Sequence, residues 1–174
     1  MTLTKLGAGA YPSGSIIQTQ YTQFSGTNTF SVTAGTPVTL TDLAVNITPN
    51  FTNSIIHLQA QVFCEFGHND NRFNATFYFL RDSTKLSHPT AGNRNVGVGL
   101  GLASYHDADS GSTPDFARFD YFDSPSSTSQ ISYKVALHIS NSNETFHLNK
   151  TVSDTDNSGY ERGISVIIAQ EIAG

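Results

Sequence analysis

Between Ser54 and Phe66 the chain alternates in character at nearly every step. Ile56, Leu58, Ala60, Val62, Cys64 and Phe66 fall on one side, and His57, Gln59, Gln61 and Glu65 on the other. Strand side chains alternate between two faces, whereas a helical face recurs every 3.6 residues, so this run is amphipathic only as a strand. It predicts a central strand with one face in the core and the other toward water or a neighbouring subunit.

The same period recurs along the chain. From Asp115 to Asp123, Phe116, Arg118, Asp120 and Phe122 alternate with Ala117, Phe119, Tyr121 and Asp123. The sequence Asp123-Ser-Pro-Ser-Ser then interrupts it, because Pro125 fixes its own φ and offers no N–H while the serines bond locally. A second run follows, with Ile131, Tyr133, Val135 and Leu137 on one face. Further strands are predicted over Ser15–Phe24, Thr36–Thr48 (Leu43, Val45 and Ile47 sharing a face), Phe73–Arg81, Lys85–Leu86, Arg94–Tyr105, Thr145–Leu148 and Arg162–Ile172 (Ile164, Val166, Ile168). Gly97, Gly99 and Gly101 leave one face of their run bare, which lets something approach the backbone closely. No stretch of ten residues carries a helical period. Nine or ten short strands at turn spacings of about 8–12 residues predict an all-β, antiparallel, jelly-roll-like β-sandwich.

A chain of 174 residues suits a single β-sandwich domain, 15–174, preceded by a short segment, 1–14. Only 13 % of residues are charged, and Thr, Ser and Asn keep the surface wet instead. Twelve Phe and seven Tyr argue against disorder. A net charge of −5 argues against a nucleic-acid partner, which needs clustered Lys and Arg. No apolar run approaches the ~20 residues of a membrane helix, so no membrane insertion is expected. The opening MTLTKLGAGAYPSG does not read as a secretory signal. The single cysteine, Cys64, excludes an internal disulfide and shares its face with Val62 and Phe66, the setting of a buried free thiol.

Sites of chemistry are hard to select. His68-Asn-Asp70 and His106-Asp-Ala-Asp109 lie in predicted turns, and no histidine or cysteine spacing of a metal site is present. Asp154-Thr-Asp156-Asn-Ser158-Gly159 resembles the opening of a calcium loop, but its twelfth position is Ser165 rather than Glu. There is no GxSxG, and nothing selects a triad or a carboxylate pair. The sequence therefore predicts no enzyme, no metal and no cofactor. Aromatics give a better lead. Tyr105, His106, Asp107, Asp109 and Phe116 mark out a loop of the kind with which β-sandwiches hold sugars, aromatic rings stacking on the ligand and carboxylates accepting from hydroxyls. The other reading of these aromatics is plain core. Residues 1–14 read either as a flexible terminus or as an arm docking on a neighbouring subunit or particle, through Leu3, Leu6, Tyr11 and Pro12.

Several segments in order are similar to those of a β domain that recurs at the C-terminal ends of bacteriophage tail-fibre and other virion proteins. They are Gly14-Ser-Ile-Ile-Gln18, Leu43-Ala-Val-Asn-Ile-Thr-Pro49, Ile55-Ile-His-Leu58, Phe79-Leu-Arg-Asp82, the run from Tyr121 to Ser129 with Tyr133-Lys-Val135, and Gly163-Ile-Ser-Val-Ile-Ile with Glu171-Ile172. The DSPSST turn between an aromatic strand and Tyr-Lys-Val is the most specific of them. The resemblance implies a jelly-roll-like head domain, commonly a homotrimer, displayed on a virion surface, tail or capsid, and often acting in host-surface recognition; together with the loop aromatics, the expected function is attachment to host cell-surface polysaccharide. It implies contact with other virion proteins through the N-terminal arm, and it carries no catalytic residues. The alternative it leaves open is a capsid decoration or fibre-anchoring protein without receptor binding. Trimer packing would place Gln59, Gln61 and Thr76 between subunits.

Overall fold

The computed structural model describes residues 7, 10–67, 74–100, 111–141 and 143–174. Its strands are β1 (Ile16–Phe24), β2 (Asn28–Val32), β3 (Val38–Ile47), β4 (Ile55–Phe66), β5 (Ala75–Arg81), β6 (Thr84–Leu86), β7 (Gly99–Leu100), β8 (Asp115–Asp123), β9 (Ile131–Ile139), β10 (Glu144–Leu148) and β11 (Ser165–Ile172). All pairings are antiparallel, in two sheets.

β4 organises the first sheet. β8 runs along one edge from Ile56 to Cys64, and β11 then β10 share the other edge end to end. β1 pairs outside β11 and β2 outside β10, so the spatial order is β8-β4-β11-β1, with β10 and β2 as an extension. The second sheet runs β3-β9-β5, with β6 and β7 along the far edge of β5. The pairs nest: β1 with β11, β3 with β9, β4 with β8, β5 with β6. A long ribbon folded back on itself and rolled gives that nesting, which is the jelly-roll form of the β-sandwich.

The expected core faces of β4 and β9 are the observed ones. Ile56, Leu58, Val62, Tyr133, Val135 and Leu137 are all fully buried. Phe77, Phe79, Phe119 and Phe146 meet at the centre, with ring centroids 5.1–6.0 Å apart. Such aromatic pairs add to burial worth roughly 1.5–3 kcal/mol for each side chain.

Three features were not read from the sequence. β2 has only one strong apolar alternation, Phe30 with Val32, too short a signal to mark a strand in the sequence. In β3, Leu40 faces Val135 while Ala44 faces the adjacent Lys134, so Thr41, Asp42 and Leu43 form a bulge with no partner opposite them in the ladder. The bulge reverses the parity and lets Leu40 and Leu43, an odd step apart, both enter the core. The run expected over Arg94–Tyr105 pairs only as β7 among the described residues, and Asn95 lies over the outer face of the second sheet. Two of the three bare glycines mark a close approach, and Gly101 lies outside the described residues: a Cβ on Gly99 would sit 2.9 Å from the Phe119 ring, and one on Gly97 2.7 Å from Phe77 O. What comes close is the protein's own core.

Cys64 is fully buried and free. Burial, followed by the nearby Asp115 and Glu65 charges, pushes its thiol well above the usual range. Since the thiolate is the reactive form, native protein should be inert to an aromatic disulfide reagent, and one thiol per chain should react in denaturant. Rapid labelling of the native protein would contradict this burial.

Candidate interaction surface

The loops and the termini divide between the two ends of the sandwich. At one end lie residues 14–16, the 47–55 connection, the 81–84 turn, the 123–131 turn and the C-terminus, as the registers Ile47↔Ile131, Ile56↔Asp123, Arg81↔Tyr133 and Ile16↔Ile172 require. At the other lie the described residues of the connections after β4, before β8, after β9 and before β11. Most of the segments that carry the phage-fibre resemblance gather at the first end.

Polar networks hold that first end. Glu171, fully buried, accepts hydrogen bonds from Ser54 Oγ (2.6 Å), Asn50 N (2.6 Å), Asn50 Nδ2 (2.8 Å) and Gln18 Nε2 (2.6 Å). Asp123, at the start of the DSPSST turn, accepts from Arg81 Nη1 (3.0 and 3.1 Å) and from the Tyr133 hydroxyl (2.7 Å). Asp123 lies in the first sheet and both donors in the second, so this triad ties the sheets together. Two anchors serve the other end. Buried Glu65 accepts from Thr113 N, Thr113 Oγ1 and Val152 N, pinning the connections before β8 and after β10. Asn149, at φ +60°, donates to Phe24 O and Gly26 O and accepts from Ser165 Oγ.

Of the sugar-loop residues expected from sequence, Tyr105, His106, Asp107 and Asp109 lie outside the described residues. Phe116 is on β8, outward and partly exposed, edge-on to Phe63 at 5.1 Å with the Arg118 guanidinium over its ring at 5.4 Å. The described flank of that loop belongs to the second end: Gly111 O accepts from Ser153 N, and Ser112 Oγ bonds Gly159 O and Glu161. Of the arm, Leu3 and Leu6 lie outside the described residues. Tyr11 stands 6.1 Å from the Phe51 ring, and Pro12 O accepts from Ser15 N. Gly14 N reaches Ala173 O at 2.8 Å, so the root of the arm sits at the first end beside the C-terminus.

The calcium-like segment borders an open depression of about 420 Å³, where Arg162 forks onto Asp154 at 2.7 and 2.8 Å. A guanidinium already holds that carboxylate. Among the described residues no group of three or more His, Cys, Asp or Glu is placed to hold a metal. His57 Nε2 lies 3.7 Å from Asp120 and its ring stacks on Phe122 at 4.2 Å. Among the described residues no serine or cysteine bonds that histidine.

A broader surface emerges from strand pairing. The outer face of β8-β4-β11-β1 is built in rows: Arg118, Gln61, Val166 and Gln23 form one, and Asp120, Gln59, Ile168 and Tyr21 the next. A third row holds Phe122, His57, Gln170 and Thr19. The first two rows frame an open depression of about 350 Å³. Of six large hydrophobics exposed among the described residues, five belong to this face or continue its parity: Ile16, Tyr21 (69 % exposed), Phe116, Phe122 (58 %) and Ile164. β11 explains part of this. Ile164, Val166 and Ile168, the apolar set named from sequence, point outward, while Ser165, Ile167, Ala169 and Glu171 are buried. Gln59 and Gln61 lie on this face, whereas Thr76 is on the other sheet, buried, with its hydroxyl on Asn95 at 3.0 Å.

No protein-family model matches the sequence. No curated protein matches it either. Among solved structures it is similar to VP2 of infectious bursal disease virus in a subviral particle, at 14 % identity over 91 % of this chain and 39 % of that one, with a TM-score of 0.36. T=1 particles derived from a mutant VP2 of the same virus give 17 % identity over 92 % of this chain and 37 % of that one, with a TM-score of 0.35. The Gx strain gives 16 % identity, 92 %, 39 % and a TM-score of 0.31. The chain spans under two fifths of the length of these solved chains. Overlap this slight says less about the fold than the chain's own strand pairing.

Proposed function

We propose that this chain is a structural protein of a bacteriophage virion surface, a non-enzymatic head domain that attaches to host cell-surface polysaccharide. The observation that carries this reading is the polarity of the sandwich. The root of the N-terminal arm and most of the fibre-like segments share one end, locked by Glu171 and by the Arg81–Asp123–Tyr133 triad. The flank of the 105–116 loop belongs to the opposite end. An attachment module needs this layout: one end anchored to the particle, and variable loops on a rigid scaffold directed away from it. Several copies on one particle turn modest single-site affinity into firm attachment by avidity.

The test separates attachment from decoration. His106→Ala and Asp107→Ala should each lower binding of the purified chain to host cells several-fold and leave the unfolding midpoint unchanged. Gold-labelled antibody against the chain should mark the tail end of intact particles. Label spread over the capsid, with loop variants that bind as wild type, would move the function to decoration through residues 1–14.

A further inference from the structure

We infer that the outer face of β8-β4-β11-β1 is a contact surface for a second copy of this chain, related to the first by a two-fold axis. The face has little reason to meet water. Five of the six large exposed hydrophobics among the described residues belong to it or continue its parity, and its rows carry Arg118 and Asp120 as their only carboxylate or basic side chains apart from His57. The amides of Gln59 and Gln61 have no hydrogen-bond partner among the described residues. Sugar-binding sites use amides and aromatics too, but the β11 contribution here is aliphatic, Ile164, Val166 and Ile168, which suits a protein partner.

The order of residues in the rows identifies the partner as the same chain. A two-fold axis lying in the contact plane, across the strands at the level of Phe119, places each strand antiparallel over its own copy. The row Arg118-Gln61-Val166-Gln23 then lies over the partner's Asp120, Gln59, Ile168 and Tyr21. Guanidinium meets carboxylate, and branched aliphatic meets branched aliphatic. Amide meets amide, and an amide pairs with its like because it both donates and accepts. An isologous contact requires this reciprocity, residue i touching j while j touches i. Four strands about 4.8 Å apart and some eight residues long at about 3.3 Å each cover roughly 500 Å² in projection. Side-chain relief brings that toward the ~800 Å² per partner of a specific interface. A two-fold pairing differs from the three-fold organisation that the sequence resemblance implies. It does not depend on the host-attachment reading, since copies pair or fail to pair wherever the protein sits.

Sedimentation of the full chain across the micromolar range gives the test. Wild type should be a dimer that dissociates on dilution. Arg118→Asp sets carboxylates against carboxylates twice and should weaken the dimer at least tenfold. Asp120→Arg should do the same with guanidinium groups, and the double exchange, R118D with D120R, should restore it. Ile168→Lys should give monomers. The charge variants change exposed positions, so their circular dichroism should match wild type, as should their unfolding midpoints at dilutions where all are monomeric. A monomer at all concentrations overturns the inference, as does a trimer or a double exchange that fails to restore pairing. So does a monomer that instead binds host oligosaccharide through Tyr21 and Phe122.

Discussion

Glu171→Ala should cost about 3 kcal/mol or more at neutral pH, a large fraction of the ~5–15 kcal/mol that holds a domain of this size together. The carboxylate is buried and accepts four hydrogen bonds, two from Asn50 and one each from Ser54 and Gln18. Hydrogen bonds to an ionised group are each worth roughly 1.5–3 kcal/mol, and they are not additive. Its loss leaves three side-chain donors and a backbone N–H short of a partner, at the point where β1 begins, the 47–55 connection folds over and the chain ends. Glu171→Gln keeps the shape but turns an acceptor pair into one acceptor and one donor, so it should also destabilise, by less.

The same carboxylate should give stability a pH dependence. Burial alone would raise its pKa, but the bonds from Ser54, Gln18 and Asn50 outweigh burial and hold it below the ordinary 4.5. A folded-state value below the unfolded one means that the stabilisation is fully present above about pH 4.5 and is lost as pH falls through the lower, folded value. Urea midpoints at pH 7 and near pH 3 should therefore fall further for wild type than for Glu171→Gln. Equal acid slopes in the two proteins, or a variant as stable as wild type at neutral pH, would remove Glu171 from this role.

The sequence made the interior strands legible because each is amphipathic by itself. β4 and β9 alternate between aliphatic and polar side chains, and local alternation settles which face is buried. β11 defeats the same logic. Its more hydrophobic set, Ile164, Val166 and Ile168, points out, and its inward set includes Ser165 and Glu171. Both of those are inward for polar reasons, Ser165 to bond Asn149 and the N–H of Phe63, and Glu171 to hold β1 and the 47–55 connection. Those partners lie 16 to 153 residues away in sequence, so no local window contains them. The candidate contact face is illegible for the same reason. Tyr21, Ile168, Gln59 and Asp120 become neighbours only when β1, β11, β4 and β8 pair. The three-residue bulge in β3 is a further case, since two leucines an odd number of steps apart would otherwise straddle the sheet.

Asp123→Ala should cost about 2–3 kcal/mol, because it leaves the buried Tyr133 hydroxyl without its acceptor and the half-buried Arg81 without its carboxylate. Alternation along β8 already separates the two aspartates: Asp120 falls with Phe116 and Phe122, and Asp123 with Ala117 and Phe119. The structure places Asp123 inward, where a carboxylate must find partners, and Arg81 and Tyr133 supply them across the gap between the sheets. Burial, then the bond to Asp123, pushes the Tyr133 phenol far up, so it stays protonated and remains a donor through any ordinary alkaline range. Tyr133→Phe should cost less, about 1–2 kcal/mol, because the ring still packs and Arg81 still neutralises the carboxylate. The double variant should be less destabilised than the sum of the two by at least ~1 kcal/mol, since both substitutions remove one shared bond. Denaturant titration of the four proteins measures that coupling. Strict additivity, or an Asp123→Ala variant within ~1 kcal/mol of wild type, would mean that the sheets are joined by apolar packing alone. Coupling of the expected size would give the DSPSST turn a physical basis: its first residue is both the anchor from which the turn departs and a fastening between the two sheets.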